Sequence, residues 1–413
     1  MSDSIYPPEV EVTNQPGEDL DVSLGGAGND SFGRLRTSDT GQRLDVEFLY
    51  DKQVDFFDET TSNGTVTHNA DSRALTLSIA NTASGTHATM RSHPVPYTPG
   101  NSQLIDITGV LDLAGIGGGT AQVFLRSSIT GSVAETVVDA GSWDAPQDDV
   151  DWTDSHIFAI DFQSLKVGTV RYFMVRNGVP TLVHSIHNDN TRNTGYWQLA
   201  SLPAYWRIYN DATYTYMEAG YGDEANAIGF RYRISANASA TMRAICCTVK
   251  SEGGDALKDM PGLARTINTG AASKTVADTQ IPLLSIRPKT TFNSLPNIIP
   301  ALPKLYSAQT DNPILVTVTL GGTLTGASWA DVDATASMME YDTSATALTG
   351  GRVVFSEYIA TSKNTSGSGQ GLLGKPVLWD RQGSETGILT ISAVRTTSTS
   401  ADVLASLEWE ELR

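Results

Sequence analysis

Short runs of alternating apolar and polar residues, broken roughly every 8–15 residues by Gly, Asn, Asp or Pro, dominate this sequence. A strand shows the same face every second residue, whereas a surface helix needs apolar positions at a 3.6-residue period. Leu, Glu and Lys runs with the helical period are hard to find. The chain is therefore restricted to sheets joined by tight turns, the pattern of sandwiches and barrels rather than of βαβ units. The clearest instance is 155–210. Ile157, Ala159 and Asp161 point one way there, and Phe158, Ile160 and Phe162 the other. Val167 to Phe173 follows, then Asn177-Gly178, a hairpin pair because both turn residues must accept positive φ, then Pro180 to Ile186. Leu202 to Asn210 adds an aromatic strand, and these three or four strands are expected to share one sheet.

With 413 residues the chain is long enough for two or three domains. Its 28 basic against 46 acidic residues give a net charge of −18, which predicts repulsion from nucleic acid and from anionic membranes. The most apolar runs are short and interrupted by Gly, Thr or Asp, so no transmembrane helix is expected, and the N-terminal sequence lacks the basic and apolar regions of a signal peptide. The two cysteines, Cys246 and Cys247, are adjacent. A disulfide between neighbours closes a strained ring, so both are read as reduced side chains on opposite faces of a strand.

Residues 1–30 carry too few apolar side chains for a core and read as an extended N-terminal arm, with a neighbouring subunit as the surface it lies on. A lectin-like or jelly-roll β-sandwich is expected over 31–254, a linker over 255–276 and a smaller C-terminal β-sandwich over 277–413. Asn63-Gly64 is a second hairpin signal. Ser328 to Tyr341 is the one stretch suited to a short helix, and Thr361 to Gly371 reads as a loop.

Acidic residues Asp144, Asp148, Asp149, Asp151 and Asp154 surround Trp143 and Trp152. Closely spaced carboxylates suit a cation and Trp beside carboxylates suits a sugar ring, so Trp143, Asp148, Asp149, Asp151 and Trp152 form the candidate glycan or cation loop. The order of an EF-hand loop is absent from it, and a solvated acidic loop is the competing reading. His184 and His187 have metal-like spacing but no third ligand, so no metal is assigned. Gly115 to Gly119 lacks the Lys-Ser/Thr of a phosphate loop and reads as a turn. No nucleophile motif and no flagged carboxylate pair occurs, so no catalytic residue and no cofactor is expected. Tyr196, Trp197, Tyr205, Trp206, Tyr209, Tyr214, Tyr216 and Tyr221 cluster in sequence and are mainly core candidates.

Several blocks resemble a family of tailed-bacteriophage virion structural proteins. They are Phe32-Gly33-Arg34-Leu35-Arg36 with Asp51-Lys52, Tyr97 to Gln103, Ile160 to Gln163, Val167 to Arg171, Leu202-Pro203 and Met242 to Gly254. A shorter echo runs from Pro282 to Arg287, and residues 212–240 depart from the pattern like an added hairpin. The resemblance implies a non-enzymatic structural protein on the virion exterior, as capsid decoration or a head-attached appendage. The alternatives are a tail or baseplate component, or an adhesin contacting a host glycan. Partners would be other virion proteins and further copies of the chain, as a trimer or higher homo-oligomer, in particles assembled in the host cytoplasm.

Overall fold

The computed structural model describes residues 41–252, 263–360, 367–372 and 387–411, apart from 55, 81–82, 99, 129–131, 148, 190, 192, 198–199, 235–236 and 298–300. The arm and the Phe32 to Arg36 block therefore lie outside the described residues, as does 377–379, where the sequence pattern suits a strand. Among those described there is no α-helix, and Ala140–Ser142 forms a short 3-10 turn.

The first fifteen strands are β1 (Gly41–Glu47), β2 (Phe57–Ser62), β3 (Gly64–Asn69), β4 (Ala74–Ile79), β5 (His87–Ser92), β6 (Gln103–Val110), β7 (Thr120–Ser128), β8 (Val133–Asp139), β9 (His156–Phe162), β10 (Val170–Arg176), β11 (Val179–Ile186), β12 (Ala204–Asn210), β13 (Thr215–Gly222), β14 (Ala227–Ile234) and β15 (Ala240–Ser251). They make two antiparallel sheets. One is ordered β11-β10-β9-β6-β15-β4-β3, with β1 also on β15; the other is ordered β2-β5-β12-β13-β14-β7-β8. One apolar cluster joins them, with Ile105, Phe158, Phe162 and Val249 from the first sheet and Met90, Trp206, Phe230 and Tyr221 from the second. Alternate residues on each strand point into this shared core, so the unit is a β-sandwich of the kind the alternation predicts.

Three local expectations are overturned by how the strands divide between the sheets. Asn177-Gly178 does turn β10 into β11, with positive φ at both residues. Asn63-Gly64 does not make a hairpin: β2 pairs with β5 in one sheet and β3 with β4 in the other. Phe57 and Val66 are both buried in the shared core from opposite sides, so the chain turns the sandwich edge here. The 155–210 stretch is likewise split. β9 to β11 lie side by side, but β12 belongs to the opposite sheet, between β5 and β13. The hairpin at 212–240 is β13 and β14, two central strands of the seven-stranded sheet rather than an addition to it.

Residues 263–411 build five- and six-stranded antiparallel sheets over a second apolar cluster that includes Leu284, Tyr306, Val316, Ile391, Leu407 and Trp409. Ile314–Leu320, Arg352–Ile359, Leu389–Arg395 and Ala401–Glu411 are strands here. The expected linker is shorter at its C-terminal end than its composition suggests. Leu263–Asn268 and Lys274–Val276 are strands, both paired to Ala401–Glu411, because that long strand offers its edge to them. Ser328 to Tyr341 holds no helix; Ala330–Asp331 and Met339–Asp342 pair as strands. Gly367–Leu372, expected within or beside a loop, pairs with Ala301–Thr310.

Candidate functional site

The acidic, Trp-containing loop between β8 and β9 does not act as one group. Trp143 is 3% exposed, donates its indole N–H to Val138 O at 3.0 Å and packs edge-on against Phe230. It is a core residue, which removes it from any ligand surface. Asp148 lies outside the described residues. Asp149 is exposed and paired with Arg176 at 2.8 Å, which holds its carboxyl below the usual range. Asp151 accepts the Thr153 hydroxyl at 2.7 Å and its amide at 3.0 Å, closing the local turn. Trp152 is half-buried, stacked on Tyr232 at 6.0 Å and on Phe158 at 6.4 Å between ring centroids.

What the structure does assemble there is an open depression of about 400 Å³, lined by Asp149, Asp151, Trp152, Tyr232, Asp112 and the Gly115–Gly117 turn. The turn is fixed by Asp112, whose carboxylate accepts the Ile116 and Gly117 amides, both at 3.0 Å. Sequence reasoning missed Asp112 and Tyr232, because only the sheet brings the 112–119 turn against β14. Aromatic rings (Trp152, Tyr232) beside exposed carboxylates (Asp149, Asp151) are the two components that recognise a sugar ring's apolar face and its hydroxyls. Among the described residues no group of three or more His, Cys, Asp or Glu is placed to hold a metal. His184 faces Asp144 at 3.2 Å and His187 faces the Thr169 hydroxyl at 3.1 Å, so the two histidines have different partners.

A second polar assembly covers the outward face of the seven-stranded sheet. One register row crosses every strand: Thr60, Thr89, Arg207, Glu218, Arg231, Gln122 and Asp139. Glu218 sits at its centre with no exposure. It accepts hydrogen bonds from Arg126 Nη2 at 2.8 Å and from the Tyr205 and Tyr209 hydroxyls at 3.1 Å. Burial pushes its carboxyl up, but Arg126, Arg207 and Arg231 outweigh that and hold it at about 2. Glu135 is shared by Arg126 and Arg231 at 2.9 and 3.0 Å. Both guanidiniums also lie about 5 Å over the Phe124 ring, at 5.0 and 5.1 Å. Beside this network Arg207 stacks on Tyr209 at 4.3 Å and Arg233 on Tyr214 at 4.8 Å, and Tyr209 stacks on Tyr216 at 4.9 Å. The clustered aromatics thus divide: Tyr196, Trp197, Trp206 and Tyr221 fill the core, whereas Tyr205, Tyr209 and Tyr216 line this outer face.

Five of the blocks that resemble the virion family, those at 97–103, 160–163, 167–171, 202–203 and 242–254, meet at a third place. Arg171 pairs with the fully buried Asp161 across β9 and β10, and Ser102 Oγ donates to the same carboxylate at 3.1 Å. Gln163 Nε2 donates to Gly100 O at 2.5 Å, the Ser164 amide to Tyr97 Oη at 2.9 Å and the Glu252 amide to Ser102 O at 3.0 Å. Tyr97 stacks on Phe162, and the Leu202 amide donates to Tyr221 Oη. Blocks scattered over 150 residues of sequence are therefore mutual partners in one buried junction.

No family model matches the chain, and no curated protein does. Among solved structures it is similar to an endo-1,3-β-glucanase from Streptomyces sioyaensis at 6% identity, covering 51% of this chain and 96% of that one, with a TM-score of 0.31. Arcelin-5, a lectin-like defence protein from Phaseolus vulgaris, gives 9% identity, 52% and 98% coverage and a TM-score of 0.25. A Lotus tetragonolobus seed lectin gives 11%, 50% and 98%, with a TM-score of 0.21. The chain is an all-β protein with a large sandwich of two antiparallel sheets and a second, smaller β-sandwich.

Proposed function

We propose that this is a non-enzymatic structural protein of the exterior of a tailed-phage virion, serving as capsid decoration or a head-attached appendage. The observation that carries this reading is the buried junction. Five of the resembling blocks are hydrogen-bonded into one junction, which supports reading the resemblance as one of architecture. A non-catalytic role is supported by the chemistry of the outer-face carboxylates. Glu218 is fully buried and held ionised by arginines, so it has neither a proton to give at neutral pH nor contact with a substrate. The charge of −18 suits a surface facing solvent rather than packaged DNA.

Copy number in purified particles tests the reading, by quantitative mass spectrometry against the major capsid protein. Hundreds of copies, released by mild denaturant from closed heads, are expected. A few copies co-purifying with tails would shift the protein to the tail, and absence from particles would overturn the virion role.

The depression at Trp152 favours a second reading, attachment to a host glycan. Trp152, Tyr232 and the carboxylates of Asp149 and Asp151 supply the ring platform and the hydroxyl acceptors. A glycan array separates the readings: binding lost in Trp152→Ala would support attachment, and no binding at millimolar sugar would count against it.

A further inference from the structure

On the outer face four arginines, Arg126, Arg207, Arg231 and Arg233, outnumber the two carboxylates among them, Glu218 and Glu135. Those carboxylates pair directly with Arg126 and Arg231, and Arg207 acts on Glu218 only at longer range. Arg207 and Arg233 have no carboxylate within ion-pair distance among the described residues, although both are half-buried and stacked on tyrosines. Arg207 Nε, Arg233 Nε and the neighbouring Thr89 Oγ1 are buried without a hydrogen-bond partner. Half-buried arginines on a Tyr-rich, Lys-free surface have the composition of an interface core.

The complementary chemistry is in this same chain. Residues 1–33 contain Asp3, Glu9, Glu11, Glu18, Asp19, Asp21 and Asp30 and not one Lys or Arg, the first being Arg34. Within them Glu9-Val10-Glu11-Val12 alternates acidic and apolar side chains, which lets an extended segment set carboxylates toward guanidiniums on one face. Fully extended, such a segment reaches on the order of 100 Å, several times the span of a seven-stranded sheet. β1 begins at Gly41 and pairs with β15 in the eight-stranded sheet, the opposite layer from the arginine face. A segment of the same copy would have to pass round the sandwich to reach it, whereas one from an adjacent copy need not.

We infer that the acidic N-terminal segment of a second copy docks on the Arg207–Arg233 end of the seven-stranded sheet and ties copies of the chain together. This rests on the multimeric part of the functional reading and not on its location in a virion.

Sedimentation velocity on the full chain tests it, at about 0.05 M and about 0.5 M salt. The expected result is self-association that weakens about tenfold or more in high salt, in Arg207→Ala/Arg233→Ala, and in a chain with Glu9, Glu11, Glu18, Asp19 and Asp21 made Gln or Asn. Combining both sets of changes is expected to weaken it no further, because they remove one contact. Should the double alanine variant fail to fold, Arg207→Lys/Arg233→Lys keeps the charge, and association nearer to that of the unaltered chain is expected. Mixed light and heavy-isotope chains carrying Val10→Cys and Thr120→Cys, in a Cys246→Ser background, should form mixed-isotope disulfides. A monomeric full chain, association untouched by neutralising the arm, or disulfides only within one copy would each overturn the inference. None of those results would alter a particle copy number.

Discussion

Arg126 on β7 and Glu218 on β13 meet across the intervening strand β14, Nη2 to Oε1 at 2.8 Å, on a sheet face where both are almost wholly buried. A carboxylate there costs desolvation energy, and the three surrounding guanidiniums offset it. The Glu218 carboxyl sits at about 2 against an ordinary value of 4.5, so the folded state prefers the ionised form. The depressed group contributes stability that is complete above the unfolded value. That stability, about 3 kcal/mol, is lost as pH falls from near 4.5 toward 2. Glu218→Gln should remove this acid-side slope and lower stability at neutral pH by about 3 kcal/mol, since Arg126 and Arg231 are then left with Glu135 alone. Urea unfolding across pH 2 to 7 measures both, and an unchanged slope in the variant would contradict the assignment.

The two tryptophans of the acidic loop should separate cleanly. Trp143→Ala opens a cavity in the shared core and is expected to cost about 3–5 kcal/mol. Any loss of ligand binding in that variant reports unfolding rather than contact. Trp152→Ala should cost less, because part of the ring already faces solvent, and should abolish any saccharide binding at the depression. Thermal melts run alongside binding assays distinguish the two.

Glycine substitutions should divide by geometry. At Gly178 a Cβ meets nothing within 4 Å and only the positive φ of 78° is disfavoured, so Gly178→Ala should cost about 1–2 kcal/mol. At Gly168 a Cβ would lie 1.7 Å from Gln163 O, so the backbone of the junction must move. Gly168→Ala is expected to be the more damaging of the two by several kcal/mol. Paired denaturation curves decide the order.

Cys247 points into the sandwich core and burial pushes its thiol well above its ordinary value; Cys246, on the other face, is half-buried and raised for the same first reason. Both should resist alkylation in the native protein at pH 8, Cys247 more completely, and both should react once the chain is unfolded. Mass spectrometry after timed iodoacetamide treatment reads this directly.

The strand class was legible because alternation is local, and the Asn177-Gly178 hairpin because its turn is chemically demanding. Sheet membership was not. Asn63-Gly64 carries the same dipeptide signal, yet β2 and β3 separate because Phe57 and Val66 enter the core from opposite sheets, a long-range choice that no short window records. The candidate site followed the same rule. Trp152, Asp149 and Asp151 were found as a sequence cluster, whereas Asp112 and Tyr232 joined them only through strand pairing, and Trp143 left because its neighbour Phe230 is almost ninety residues away. Buried charge was the least visible of all. Glu218 lies in a run of ordinary-looking residues, and its partners come from β7, β12 and β14.

In each sandwich the strand formed last in sequence is the one that earlier strands bond to. β15 pairs with β1, β4 and β6. Ala401–Glu411 pairs with Leu263–Asn268, Lys274–Val276 and Ala301–Thr310. During vectorial synthesis β1 must wait for β15, and Leu263–Asn268 for Ala401–Glu411, so each unit can close only once its last strand has emerged. A ribosome stalled before residue 401 would therefore present one finished sandwich trailing an open-edged, aggregation-prone half.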